Sequence, residues 1–187
     1  MADPAARIQA IRHLWQTDAE PGGARYPNLY AIVDAARDER IYPRLRELAA
    51  TEEVLCLYEG QSAQELASVA PYLICLGSSD RVFDWLWSEG WDQDWGIYLW
   101  SVSSMNAMRE HFRRLTIVQT EEKQRLLFRF YDPRVLGVFL PTCDTRQLVE
   151  MFGTVVRRFM LPSNGGTALD SFHLSGARLI KTSADLS

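Results

Sequence analysis

The chain has 187 residues, 47% of them hydrophobic, and a formal net charge of −4. A chain of this length can bury one sizeable core, and its apolar content excludes a disordered protein. The mild acidity argues against a nucleic-acid-binding protein, which normally carries an excess of basic residues.

The first half of the chain is predicted to begin with an amphipathic helix and then to alternate between strands and helices. Ile8, Ile11 and Leu14 recur at helical spacing, and the Pro and Gly residues that follow end this helix. Short apolar runs such as LYAIV and VLCLY are typical of buried strands. In chain order, the predicted elements are a helix over 5–17, a strand over 29–33, a helix around 41–48, a strand over 54–58, a helix after Gly60, a strand over 71–76, a helix over 80–88 and a strand over 96–100.

The second half of the chain contains the clearest helix, whose apolar stripe is formed by Met105, Met108, Phe112 and Leu115. Two apolar runs, 116–119 and 125–131, flank a polar stretch and predict a hairpin. The remaining predicted elements are a helix capped by Asp132 with Pro133 at its first position, a helix capped by Asp144, and weak strands after Gly153.

This order of elements predicts an α/β fold with a mixed, partly parallel sheet flanked by helices, in one body or two lobes. Residues 1–27 are predicted to form an N-terminal helix and linker. Residues 28–161 form the main α/β domain, and residues 162–187 form a C-terminal extension packed on that domain.

The cysteines and the N-terminus predict a cytoplasmic protein. Cys56, Cys75 and Cys143 are odd in number, widely spaced and set among apolar residues, so we expect three reduced thiols in the core. The N-terminus lacks a basic segment followed by an apolar block. No apolar run approaches the roughly 18 residues of a membrane-spanning helix, so we expect no membrane contact.

The sequence contains no glycine-rich phosphate loop, no metalloprotease motif and no nucleophile-elbow motif. The best argument for an enzyme uses Asp34, Glu59 and Asp132, each of which directly follows an apolar run. Three such acids could hold Mg²⁺ and support a small hydrolase or phosphotransferase. Their simpler role is to cap helices and tie loops, and we favour this role because no phosphate loop accompanies them. We therefore expect no metal, no cofactor and no enzymatic activity.

A tryptophan cluster and a row of arginines are the candidate partner-binding residues. Trp87 and Trp91 stand among polar residues in a predicted loop and are expected to be exposed, whereas Trp95 is expected in the core. Arg109, Arg113 and Arg114 form a basic helix face. Such a face is often only solvated, but it could also dock an acidic segment of a partner.

Several segments, taken in order from about Asn28 to about Val156, resemble the effector adaptor or chaperone family of bacterial type VI secretion systems, the Tap/TEC adaptors. FRFYDPRV is the most specific of them. The segments are LYAIVDAARD, LYEG, SAQELASVAPYL, the Trp95-Gly96 pair with its strand, SMNAMREHFRRL and LLFRFYDPRVLGVFLP.

The resemblance implies a non-catalytic protein that binds a toxic effector in the cytoplasm and helps to load it onto the spike protein of the secretion apparatus. Within this reading, Trp87 or Trp91 is expected to insert into the effector, while the arginines steer the encounter. Arg129 and Arg134 could pair with Asp34, Glu59 or Asp132, which would replace a metal site by an ion-pair network. The family-like positions are Asp34, Glu59, Gly60, Pro71, Trp95, Gly96, Arg129, Tyr131, Asp132, Pro133 and Arg134.

Overall fold

A computed structural model of the chain describes residues 29–49, 54–76, 80–119 and 123–186. The predicted N-terminal helix over 5–17 and the linker that follows it lie outside these residues. No helix of the described residues is long and apolar enough to cross a membrane.

The centre of the fold is a seven-stranded sheet with the strand order β2-β3-β1-β4-β7-β8-β9, in which every neighbouring pair is antiparallel. A separate two-stranded hairpin pairs β5 with β6. The strands are β1 Leu29–Asp34, β2 Val54–Cys56, β3 Pro71–Cys75, β4 Gly96–Trp100, β5 Ile117–Gln119, β6 Arg125–Leu127, β7 Arg158–Ser163, β8 Ala168–Ser175 and β9 Arg178–Asp185.

Six α-helices of the described residues connect these strands. The third continues into a π-helical turn over Leu86–Gly90 and a 3-10 turn over Trp91–Gln93. The helices are α1 Ile41–Leu48, α2 Gly60–Glu65, α3 Asp80–Trp85, α4 Met105–Leu115, α5 Pro133–Phe139 and α6 Thr145–Phe152.

The predicted mixed, partly parallel sheet is wrong, and the connectivity explains why. β1 and β2 run in the same direction because each is antiparallel to β3, which lies between them. β3 and β4 likewise run in the same direction on either side of β1. The helical connections through α1 and α3 therefore join strands of equal direction, as in a parallel sheet, but a third strand separates each pair. Sequence order alone does not reveal that insertion.

The sheet separates two cores. One, the tryptophan-side core, contains Trp87, Trp91 and Trp95 together with the buried residues of α1. The other, the α4-side core, contains the buried face of α4, including Met108 and Phe112, with residues of α5 and α6. A helix on one face of the sheet therefore cannot share a surface with the tryptophans of the other face.

The C-terminal strands belong to the same sheet as the rest of the fold. β7 pairs with β4, β8 pairs with β7 along six residues, and β9 pairs with β8 along eight. The predicted boundary between residues 161 and 162 falls inside β7. Residues 162–186 thus extend the sheet by two strands.

Candidate functional site

The carboxylate of Asp34 lies at the end of β1 and is almost completely buried. It accepts a hydrogen bond from the backbone N–H of Ala36 at 3.0 Å, which starts the following 3-10 turn. Its other oxygen forms an ion pair with Arg129. The hydrogen bond that the Arg129 guanidinium donates to Asp34 raises the pKa of Arg129, which therefore stays charged.

Asp132 begins α5, with Pro133 at the first helical position. It accepts a hydrogen bond from the backbone N–H of Arg134 at 3.0 Å, and its other oxygen lies 2.7 Å from Nη2 of Arg134. Burial alone would raise the pKa of Asp132, but the hydrogen bonds from Arg134 hold that pKa below its usual value. Asp132 is therefore an ionised helix cap, as the sequence predicts.

Glu59 is exposed and forms an ion pair with Arg113 of α4. Gly60 follows it with a φ of +57°, a conformation that L side chains rarely adopt, so the sharp entry into α2 requires glycine there. The ion pair between Glu59 and Arg113 ties the start of α2 to α4.

The three carboxylates of the candidate magnesium site thus have three different arginine partners: Arg129 for Asp34, Arg113 for Glu59 and Arg134 for Asp132. Among the described residues, no group of three or more His, Cys, Asp or Glu side chains could hold a metal ion. The acids form separate ion pairs and do not assemble into a magnesium site.

Trp87 and Trp91 are buried, with exposed fractions of 6% and 1%, so the expectation that they are exposed is wrong. Their segment is helical and not a loop, and its turns direct both indoles toward the sheet. Trp87 stacks on Tyr98 with ring centroids 4.9 Å apart, and Nε1 of Trp91 donates to the carbonyl of Gly166 at 2.8 Å. Neither indole is available to insert into a partner.

Trp95 lies in the same core, as predicted. The face of its indole packs so closely on Gly90 that a Cβ at that position would lie 2.5 Å from the ring. The guanidinium of Arg40 lies over Trp95, 5.5 Å from the ring centroid. These contacts give Trp95 a structural role.

The three arginines of α4 have different environments. Nε of Arg109 donates to the carbonyl of Cys56 at 2.8 Å and thereby anchors α4 to the end of β2. Arg113 pairs with Glu59, and Arg114 is exposed. Of the three, Arg113 and Arg114 line a surface groove and Arg109 does not. The predicted basic face therefore consists of one anchoring residue and two groove residues.

That groove, which we call the α4 groove, has a volume of about 790 Å³ and lies between α2, the C-terminal half of α4 and the β5-β6 hairpin. Apolar side chains make up much of its lining, and Leu66, Ile117 and Leu127 are 45%, 45% and 53% exposed. Its charged residues are Glu59, Glu110, Arg113 and Arg114. It therefore combines an exposed apolar floor with a charged rim.

Tyr131 interacts with a residue that lines the α4 groove. Its ring is buried, and its hydroxyl shares a hydrogen bond with Tyr58, which lines the groove. Burial, followed by this hydrogen bond, raises the pKa of Tyr131, so the phenol stays protonated. The family-like Tyr131 thus contacts Tyr58, which lines the groove.

A second, smaller cavity of about 350 Å³ adjoins the α4 groove. Arg114 and Ile117 line both cavities, and the smaller one continues past Phe128 and Phe139 toward α6. The two depressions form one surface that passes around the C-terminal end of α4. This surface is long enough to accept more than a single side chain.

The apolar floor of this groove is not predicted by the sequence. Leu66, Ile117 and Leu127 come from three separate segments, so no local periodicity joins them. The available signal was apolar residues beside strongly polar ones in QELASV and in the hairpin. The sequence pattern instead favours Trp87 and Trp91 as binding residues, although both indoles are buried in the core.

Comparison with known proteins places this chain in a family. The family model described as "Domain of unknown function (DUF4123)" matches residues 29–150, which is more than half of the chain. The chain therefore belongs to this family. No curated protein and no solved structure matches the chain. The matched range includes the α4 groove and the ion pairs of Asp34, Glu59 and Asp132, and it ends before β7.

Proposed function

We propose that this chain is a non-catalytic adaptor that binds a type VI secretion effector in the cytoplasm and helps to load it onto the spike protein. The family to which it belongs is associated with adaptors of such effectors. The resemblance of FRFYDPRV and the segments around it supports the same role.

The observation that carries the proposal is the exposed apolar floor of the α4 groove. Exposed apolar side chains that line a concave site are typical of a surface that binds a partner. Leu66, Ile117 and Leu127 offer such surface within a concave site, where apolar side chains of a partner can be desolvated. A segment of the effector would therefore insert into the groove of this chain. This replaces the expectation that Trp87 or Trp91 inserts into the effector.

The rim of the groove suits an apolar segment that also carries an acidic residue. Arg113 is engaged by Glu59, whereas Arg114 is exposed and lies where the two cavities meet. A guanidinium at that position can form two parallel hydrogen bonds with a carboxylate. The ion pairs of Asp34, Glu59 and Asp132 favour a structural role of these acids over the alternative of a magnesium-dependent hydrolase.

The test is co-expression of the chain with the type VI effector encoded nearest to it, followed by co-purification through a tag on the effector. Ile117→Asp should abolish co-purification because it places a charge in the apolar floor. Val102→Asp is the matched control, because Val102 is also exposed and does not line the groove. Equal recovery of both variants would refute the groove as the effector site.

A further inference from the structure

β9 is the outermost strand at one end of the sheet formed by the described residues. All eight of its residues pair with β8, and among the described residues no strand pairs with its other side. A strand paired along its whole length is held straight and in a fixed register. Its outer edge is therefore a fixed row of hydrogen-bonding groups.

The register shows which backbone groups face outward. A two-residue turn joins Ser175 to Arg178, and such hairpins close with a hydrogen-bonded pair. Hydrogen-bonded pairs then recur at every second residue, in agreement with the 2.8 Å bond from the N–H of Leu186 to the carbonyl of Thr167. Leu179, Lys181 and Ser183 therefore direct their N–H and C=O groups away from β8.

Two of the features by which proteins commonly block strand addition, proline and a bulge, are missing from β9. β9 contains no proline, and its register with β8 is continuous, without a bulge. Its central Lys181 is held over the face of the sheet, with Nζ 2.7 Å from Asp170 and 5.5 Å from the ring of Phe172. The lysine therefore does not project across the edge to repel an incoming strand.

The side chains indicate the chemistry of the occupant. Leu179 and Ile180 are half-buried on opposite faces of β9, so an added strand would cover both. Arg178 makes the beginning of the strand basic because it has no ion-pair partner among the described residues, whereas the charge of Lys181 is paired with Asp170. A second copy paired about Lys181 would place two lysines opposite each other, which is unfavourable.

From these observations we infer that the outer edge of β9 binds an extended, acidic segment of a partner protein by strand addition. β9 lies beyond residues 29–150, the range shared with the family, and away from the residues that line the α4 groove. The inference is independent of the proposed adaptor function. It gives the chain a second protein-binding surface that recognises backbone more than side chains.

The probes are two fluorescein-labelled peptides of eight residues, the length of β9, built from alternating valine and threonine with three glutamates in one and three lysines in the other. The acidic peptide should bind about tenfold more tightly than the basic one by fluorescence anisotropy. In a ¹⁵N-labelled sample, the amide signals of Leu179, Lys181 and Ser183 should shift most and exchange more slowly with solvent. Equal binding of the two peptides, or shifts elsewhere, would overturn the inference.

Lys181→Pro removes one outward N–H and no bond to β8, and Lys181→Thr is its matched control, which keeps the N–H. The proline variant should bind the acidic peptide about tenfold more weakly than the threonine variant. If Lys181→Pro does not fold, the affinities of Ser183→Pro and Ser183→Thr for the acidic peptide are compared in the same way. Equal affinity within the folded pair contradicts strand addition. A wild-type dimer in sedimentation that Lys181→Pro dissociates would show that a second copy is the occupant, which also overturns the inference.

Discussion

Arg129 forms an ion pair with Asp34, although the two residues are 95 positions apart in the chain. The pair joins the end of the central strand β1 to the segment just before α5. Because Asp34 also caps the turn after β1, a single buried carboxylate fixes both segments.

Removal of the arginine should therefore destabilise the fold. Arg129→Ala leaves the buried carboxylate of Asp34 without its cation, but the Arg129 side chain is 42% exposed, so water screens the pair. We expect a loss of about 2 kcal/mol in the free energy of unfolding, less than for a fully buried pair. Urea denaturation measures it. Arg157→Ala, a change at an exposed arginine, is the control, and equal stability of the two variants would contradict the account.

The lowered pKa of Asp132 predicts a pH-dependent contribution to the stability of the fold. Its folded pKa lies below the usual value of 3.8, so its ionised form stabilises the fold above that pH. The contribution is lost as the pH falls through the folded pKa. Asp132→Ala should cost about 0.5–2 kcal/mol at pH 7 through the lost cap. The difference from wild type should shrink toward pH 3 in denaturant titrations, and a difference that does not depend on pH would contradict an ionised cap.

The burial of His111 predicts a second effect of pH on stability, in a higher pH range. Its ring is buried, and Nε2 donates to the carbonyl of Met151 at 2.9 Å. Burial lowers its pKa in the folded state, so the unfolded state takes up a proton first as the pH falls below the usual 6.5. Wild type should lose stability as the pH falls below 6.5, whereas His111→Gln should lose less. Identical pH profiles for wild type and His111→Gln would refute this role.

Trp91 should behave as a core residue and not as an interface residue. Trp91→Ala removes a buried indole and its hydrogen bond to Gly166, so we expect a loss of about 3–5 kcal/mol in the free energy of unfolding. Calorimetric melting measures the loss. At a temperature where the variant remains folded, its affinity for the effector should be unchanged. Normal stability with weakened binding would contradict the burial of the indole.

The local structure was largely predictable, because the signals for it are local. The apolar runs at β1 and β4, the stripe of α4 and the caps of α5 and α6 all lie where the sequence predicts them. Sheet order depends on how distant strands pair, and alternation of strands and helices does not show that β3 lies between β1 and β2. Sequence therefore predicted the elements but gave the wrong strand directions.

The candidate site was less predictable for the same reason. Arg113 and Arg114 were identified because they share a helix face, and both line the α4 groove. The polar neighbours of Trp87 and Trp91 are typical of a loop, whereas a π-helical turn and the 3-10 turn after it direct the two rings inward. Exposure depends on tertiary packing, which polar neighbours alone do not reveal.

The central claim is that the α4 groove binds the effector, and calorimetric titration of purified effector into the chain tests it most directly. Leu127→Asp should raise the dissociation constant by about fivefold or more, since the loss of one buried apolar anchor costs about 1–3 kcal/mol. Val102→Asp, which adds the same charge at an exposed valine outside the groove, should bind like wild type. Wild-type affinity in Leu127→Asp, with both variants folded, would contradict the claim.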